Sequence, residues 1–219
     1  MFYLLDNLKK SIRIALDQNN SSDLLVGIGD IDTLTLEEII ASKIVDAVRI
    51  VTADAPSYLL DGGRPFAESI AWESQPGYGC GWTLLPDDFL RLVCFKMSDW
   101  AYAVTQAVAE DSQAYRMQRS RFPGIRGNPE RPVVAITSQP AGQVLEFFSC
   151  ASGEEAYVTR ARYIPLPAVS TDGADREGIE ICEKLEPAVI YYAAYLTALS
   201  TGANDLAAVM LQISKELIK

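Results

Sequence analysis

The spacing of apolar residues constrains the fold of this chain more than any other feature, because it changes from helical to alternating and back. Residues 3–17 and 35–54 repeat apolar side chains every three or four positions, as one face of an amphipathic helix does. Thr35 and Glu38 open the second stretch and match a capping box. Pro56 ends it. We therefore predict helices over both stretches.

Turn signals dominate the next part of the chain. Asp61-Gly62-Gly63 and the Pro/Gly-rich residues 76–79 interrupt any long element. Short strands are expected at residues 69–72 and 81–85, and the large apolar side chains of residues 89–97 indicate a longer strand.

A return to helix is predicted after this strand. Ser98 or Asp99 can cap a helix through Trp100 and Ala107, and the polar residues 110–121 can continue as a second short helix. The Gly/Pro-rich residues 122–129 then form a loop.

The pattern turns to strand between residues 132 and 165. Residues 132–137 and 144–149 flank Gln139-Pro140-Ala141-Gly142, which indicates a hairpin, and residues 156–164 supply a third antiparallel strand. A polar loop over residues 168–178 is expected to follow.

Two helices are predicted to close the chain, from about 185 to 199 and from about 205 to 217, with Thr201-Gly202 as the stop between them. The predicted fold class is α+β but mainly helical, a helical bundle with an inserted antiparallel β-hairpin or sheet lobe. We expect a single domain over residues 1–219. Its helical core is assigned to about 1–55, 98–121 and 184–218, and its β-rich parts to about 66–97 and 132–165.

Composition and charge exclude several classes of protein. The hydrophobic content of 49% is enough to bury a core, and the formal net charge of -10 disfavours tight sequence-specific binding of nucleic acid. The first residues contain no basic segment of a secretory signal, and no apolar run approaches a bilayer span. We expect no membrane association and synthesis in the cytoplasm. There, four reduced thiols are favoured over two disulfides for Cys80, Cys94, Cys150 and Cys182.

The chain contains no histidine, which removes Ser-His-Asp and Cys-His sites and most zinc sites. We predict no catalytic, cofactor or metal site. Asp87-Asp88 can serve acid–base chemistry or a divalent metal, but a Pro-Asp-Asp turn is favoured. Asp30-x-Asp32 lacks the glycine of a calcium loop, and Gly27-x-Gly29 lacks the third glycine of a dinucleotide fingerprint. Gly124-x-x-Gly127 is weak evidence for an RNA-binding loop.

Five arginines within 16 residues stand out in this acidic chain and form a candidate interaction surface. They can face an acidic partner or make glancing phosphate contacts. They can equally lie on a solvated helix face with local salt bridges to Glu110, Asp111 and Glu130. The arginines are Arg116, Arg119, Arg121, Arg126 and Arg131.

Three tyrosines lie close together in the first of the two closing helices. For Tyr191, Tyr192 and Tyr195, packing in the core is favoured over a role in an interface.

The order of short motifs from residue 81 onward resembles the head-to-tail adaptor, or head-completion, proteins of short-tailed and crAss-like phages. The chain contains Leu85-Pro86-Asp87-Asp88-Phe89, then Arg131-Pro132, then a hairpin, then a strand ending in Tyr163-Ile164-Pro165. A helix rich in alanine and tyrosine over residues 185–195 follows. The resemblance covers about residues 35–218.

The resemblance implies a structural virion protein and no enzyme. Twelve copies would form a ring beneath the portal protein, at the head–tail junction, and would extend the DNA channel. The partners would be the portal, neighbouring copies, and further tail or ring proteins, with double-stranded DNA passing through the lumen without specific binding. By analogy the C-terminal segment would face the portal, with Leu211, Ile213, Leu217 and Ile218 as candidates.

Two alternatives come from other classes of protein. One is a cytoplasmic protein-binding module that uses the arginine surface. The other is a carboxylate- or metal-dependent hydrolase centred on Asp87 and Asp88.

Overall fold

The structure is a computed structural model that describes residues 1–16, 35–67, 69–73, 79–122, 124–151 and 155–219. The predictions for Gly27, Gly29, Asp30 and Asp32 lie outside the described residues.

Five α-helices lie in the described residues, together with two short 3-10 turns at Ser57–Leu59 and Glu183–Leu185. Four of the helices fall where helical spacing predicted them, and the third is a short helix inside the β-rich part. They are α1 (Leu5–Ala15), α2 (Leu36–Asp54), α3 (Gln113–Met117), α4 (Glu186–Ser200) and α5 (Asn204–Leu217).

The described strands form three sheets, two with three strands and one with five, in the orders β1-β11-β10, β2-β9-β5 and β3-β4-β8-β7-β6. All pairs are antiparallel except β6 with β7. The strands are β1 (Phe2–Leu4), β2 (Arg64–Pro65), β3 (Ala71–Glu73), β4 (Gly79–Leu84), β5 (Phe89–Met97), β6 (Val108–Ala109), β7 (Val134–Gln139), β8 (Gly142–Cys150), β9 (Val158–Pro165), β10 (Val169–Thr171) and β11 (Glu177–Glu180).

The prediction of a mainly helical fold is wrong. The described part of the chain is 37% helix and 30% strand, so sheet is nearly as abundant as helix. Short strands separated by Gly and Pro leave a weaker periodic pattern than helices do. The sequence pattern therefore led to an underestimate of the strand content.

The chain divides into two compact units. Unit 1 comprises Met1–Asp61 and Leu166–Lys219, and unit 2 comprises Gly62–Pro165. All four long helices and the β1-β11-β10 sheet belong to unit 1.

Unit 1 has its own core, formed by the facing sides of α1, α2, α4 and α5. The predicted capping box of α2 is confirmed, because the Thr35 hydroxyl accepts from the Glu38 amide and the Glu38 carboxylate accepts from the Thr35 amide. The Ser214 hydroxyl, itself buried, donates to the Ala188 carbonyl at 2.8 Å and ties α5 to α4. The stretch predicted as a polar loop at 168–178 instead contributes β10 and the start of β11.

Unit 2 is built from the two remaining sheets around an aromatic core. Phe95 on β5 and Phe147 on β8 are fully buried, and their rings stack at 5.9 Å, which joins the two sheets. Trp72 meets Phe147 edge-on at 5.2 Å, and Trp100 meets Phe95 edge-on at 5.7 Å. The predicted hairpin is confirmed as β7 and β8, and the predicted strand at 89–97 is confirmed as β5.

The helix predicted over residues 98–121 is wrong except at α3. Phe95 and Val104 exchange two backbone hydrogen bonds of 2.8 and 2.9 Å, so the chain pairs with β5 here. Trp100 is buried against Phe95, and the Asp99 carboxylate accepts from the Ala151 amide at 2.7 Å, where a helix cap was expected. Tertiary pairing and burial override a local helical preference that is worth a few tenths of a kcal/mol per residue.

Within the described ranges, no helix has both the length and the apolar content that crossing a bilayer requires.

A substitution at Gly81 on β4 tests the close packing of β4 against β3 and Phe147 in unit 2. A Cβ there would lie 2.4 Å from the Ala71 carbonyl oxygen and 2.8 Å from Phe147 Cζ. We expect Gly81→Ala to lower the free energy of unfolding by about 1–3 kcal/mol, because the backbone of β3 cannot move away without breaking its pairing. Urea denaturation followed by fluorescence measures the effect.

Gly173→Ala is the matched control, since no atom lies within 4 Å of a Cβ at that position. We expect it to change stability by less than about 0.5 kcal/mol. Equal effects of the two substitutions would contradict the packing described for β3 and β4.

Candidate functional site

The five arginines predicted to form an interaction surface all lie in unit 2, in and after α3. Arg116, Arg119, Arg121 and Arg131 are exposed. Arg126 is only 8% exposed, so its prediction as a surface residue is wrong.

Helix α3 is attached to the five-stranded sheet by Tyr115. Ser112 caps the helix, its hydroxyl accepting from the Tyr115 amide. The Tyr115 hydroxyl donates to the Glu146 carboxylate on β8 at 2.8 Å, and its ring meets Phe148 edge-on. Thr137 on β7 donates to the other Glu146 oxygen at 2.8 Å. The helix is therefore held to both β7 and β8.

The loop after α3 is held by Gln118, which is 3% exposed. Its side-chain oxygen accepts from the Gly127 amide at 2.8 Å, and its side-chain nitrogen donates to the Ala114 carbonyl at 2.8 Å. Gly127 fits closely there, since a Cβ would lie 2.3 Å from the Ser149 hydroxyl oxygen. The glycines predicted as weak evidence for an RNA-binding loop therefore include one with a packing role, Gly127.

The same segment exposes large apolar side chains. Phe122 is 58% exposed, Ile125 is 53% exposed and Met117 is 38% exposed. The Arg121 guanidinium lies 5.5 Å from the centre of the Phe122 ring. We call this surface the arginine platform and define it by Arg116, Met117, Arg119, Arg121, Phe122, Ile125 and Arg131.

Exposed apolar and guanidinium groups on a fixed backbone are typical of protein interfaces, which are enriched in aromatic residues, methionine and arginine. Because the loop is already held by Gln118, binding would order few additional groups and would lose little conformational entropy. The sequence indicated the arginines, but it did not indicate that Met117, Phe122 and Ile125 are exposed among them.

The C-terminal candidates lie on or just after α5. Leu211, Ile213 and Ile218 are half-buried, and Ile218 packs against the core of unit 1. Leu217 is 41% exposed. Sequence reasoning missed Val209, which is 53% exposed and lies four residues before Ile213. Val209, Ile213 and Leu217 follow one another at four-residue spacing, so they form an apolar stripe along α5.

Of the predicted carboxylate pair, Asp87 and Asp88, the second makes contacts within unit 2. The Tyr163 hydroxyl donates to Asp88 at 2.7 Å, and the Arg64 guanidinium lies 3.5 Å from the other Asp88 oxygen. Burial and the bond to Asp88 raise the pKa of Tyr163. Asp87 is exposed in the turn before β5. No group of three or more metal-ligating side chains occurs in the part of the chain that the structure describes.

All four cysteines are free thiols. Burial raises the pKa of Cys150 to about 12, with a further contribution from the Asp99 carboxylate. Burial and the nearby Glu73 carboxylate raise the pKa of Cys80 to about 11. Both thiols are therefore protonated and unreactive near neutral pH.

The three tyrosines of α4 are half-buried and pack against the core of unit 1, in the role favoured from the sequence. Tyr192 and Tyr195 meet edge-on at 5.3 Å.

A comparison with models of known protein families gives no match, and a search of curated proteins gives no significant match either.

Gln118 provides a test of the arginine platform. Gln118→Ala removes both hydrogen bonds and leaves the Gly127 amide without its side-chain acceptor. We expect a loss of about 1–3 kcal/mol in the free energy of unfolding and faster amide exchange at residues 125–128.

The control is Gln113→Ala, at an exposed position in α3. It should leave exchange at residues 125–128 unchanged. Slow exchange there in Gln118→Ala would contradict the proposal that Gln118 holds the loop.

The two buried thiols make stability fall at alkaline pH. Their folded-state pKa values, about 11 for Cys80 and about 12 for Cys150, lie above the ordinary thiol pKa of 9.0. The protonated thiol thus stabilises the fold fully below pH 9, and this contribution is lost as pH rises towards 12. Replacing both by serine should flatten the fall in melting temperature between pH 9 and 11, as measured by differential scanning calorimetry. An unchanged slope would contradict the assignment.

Proposed function

We propose that this chain is a structural subunit that acts by assembly, as a head-to-tail adaptor that forms a ring beneath the portal of a tailed phage. The order of sequence motifs supports the proposal, and each motif falls at an element boundary. Leu85-Pro86-Asp87-Asp88 forms the turn before β5, Arg131-Pro132 leads into β7, and Pro165 ends β9. The helix rich in alanine and tyrosine is α4.

The observation that carries the proposal is the apolar stripe of Val209, Ile213 and Leu217 on α5. Two of these side chains are 53% and 41% exposed, although the adjacent side of the same helix is well packed through Ala207, Met210 and Ser214. Apolar groups that stay exposed on a well-packed helix suit a protein partner. In the proposed ring this stripe contacts the portal.

The contacts of Asp88 argue against the hydrolase alternative. Asp88 is engaged by Tyr163 and Arg64, so its oxygens already have partners within the fold. The net charge of -10 suits a channel wall that DNA passes without adhering, because like charges repel.

The test is co-expression with the portal protein encoded in the same genome, followed by negative-stain electron microscopy of the purified particles. We expect an additional ring of density at one end of the portal, absent when this chain is omitted. Val209→Glu should remove the ring, because a carboxylate would be desolvated in an apolar contact.

Ala208→Glu is the matched control, since Ala208 is also exposed but lies about 100° around the helix from Val209. It should leave the ring in place. An intact portal that never acquires density would overturn the adaptor proposal, and a ring that persists in Val209→Glu would overturn the role of the stripe.

A further inference from the structure

Charge is distributed unequally between the two units. Unit 1 contains 18 acidic and nine basic residues, a formal charge of -9, whereas unit 2 contains 11 acidic and ten basic residues, a formal charge of -1. Half of the basic residues of unit 2 are the five arginines between 116 and 131, a segment whose only acidic residue is Glu130. The chain thus combines one strongly acidic unit with one basic surface on the other unit.

The stretch of unit 1 from residue 166 to residue 183 contains both exposed carboxylates and exposed apolar side chains. All three residues of β10 are exposed, with Val169 at 42%, and Leu166 just before it is 37% exposed. Glu177 on β11 pairs with Thr171 on β10 and is exposed, and Glu183 is exposed in the turn that follows β11. We call this stretch the acidic hairpin and define it by Leu166, Val169, Glu177 and Glu183. The exposed Arg176 in the same hairpin is paired with Asp172 at 2.7 Å.

We propose that the arginine platform of one copy docks on the acidic hairpin of a neighbouring copy. Each surface combines exposed apolar side chains with exposed charges, and the charges are opposite in sign. Complementary charge of this kind steers association and sets orientation, while the apolar side chains supply burial. Because the two surfaces differ, the contact is heterologous, and repeating it produces a closed ring or an open chain of copies.

Double-stranded DNA is the competing ligand for the platform, since guanidinium groups also bind phosphates. The platform favours a protein partner, because Met117, Phe122 and Ile125 are exposed among the arginines and the charge of the whole chain repels DNA. This inference rests on the proposal that the chain assembles with copies of itself, but it does not depend on portal binding.

The experiment is sedimentation-velocity analysis of the purified full chain over a range of concentrations, in low and in high salt. We expect concentration-dependent association that weakens as salt rises. Arg121→Glu/Arg131→Glu and Glu177→Lys/Glu183→Lys should each weaken association by about tenfold or more, because each places like charges opposite one another. Circular dichroism confirms that the variants fold.

Mixing the two variants is the decisive measurement. The first variant retains a normal acidic hairpin and the second retains a normal platform, so a heterologous contact between them is intact. We expect the equimolar mixture to form dimers with an affinity within about threefold of the wild type. A mixture as weak as either variant alone would overturn the proposal.

Arg160→Glu/Lys10→Glu is the matched control for the Arg121→Glu/Arg131→Glu variant, because it makes the same change in net charge at two exposed positions outside both surfaces. It should associate like the wild type. Equal weakening of self-association in this control would show that net charge alone causes the effect, and it would overturn the proposal. A wild type that stays monomeric at every concentration would overturn it as well.

Two further outcomes separate this inference from the adaptor proposal. A portal that acquires a ring made of the Arg121→Glu/Arg131→Glu variant would overturn the platform contact and leave the adaptor function standing. Platform-dependent association without portal binding would leave the platform contact standing and overturn the adaptor function. The wild type could also bind double-stranded DNA. If the Arg121→Glu/Arg131→Glu variant lost this binding but still self-associated normally, the arginine platform would be a DNA-binding surface, and the proposal would be overturned.

Discussion

The contact between Phe95 and Phe147 is the interaction on which unit 2 depends. The two rings are fully buried and join the three-stranded sheet to the five-stranded sheet. Phe147 lies on β8, and the neighbouring residues Glu146 and Phe148 hold Tyr115 and therefore α3. The position of the arginine platform is thus set by a chain of contacts that begins in the aromatic core.

This dependence gives the platform its physical character. The residues that expose apolar and guanidinium groups follow a helix that is capped, bonded to a strand and closed by the buried Gln118. A surface of this kind can bind a partner without rearranging. The opposite charge of unit 1 favours the acidic hairpin of a second copy as that partner.

Local sequence signals predicted the elements that depend on local contacts. The capping box at Thr35 and Glu38, the hairpin of β7 and β8, and the stop at Gly202 all involve residues close in sequence. The failures involve strand pairing and burial that the local pattern does not indicate. The pairing of β11 with β1 joins residues near opposite ends of the chain, and no local pattern indicates it. The burial of Arg126 and the loss of the predicted helix after residue 98 likewise result from tertiary packing.

The central claim is that the arginine platform and the acidic hairpin meet when copies assemble. Hydrogen–deuterium exchange of the wild-type chain, compared at concentrations below and above its association, tests this claim most directly. The account predicts slower exchange on assembly in two separate segments, residues 116–131 and residues 166–183, with the core strands of unit 2 unchanged. Assembly that protects neither segment, or protects only other parts of the chain, would contradict it.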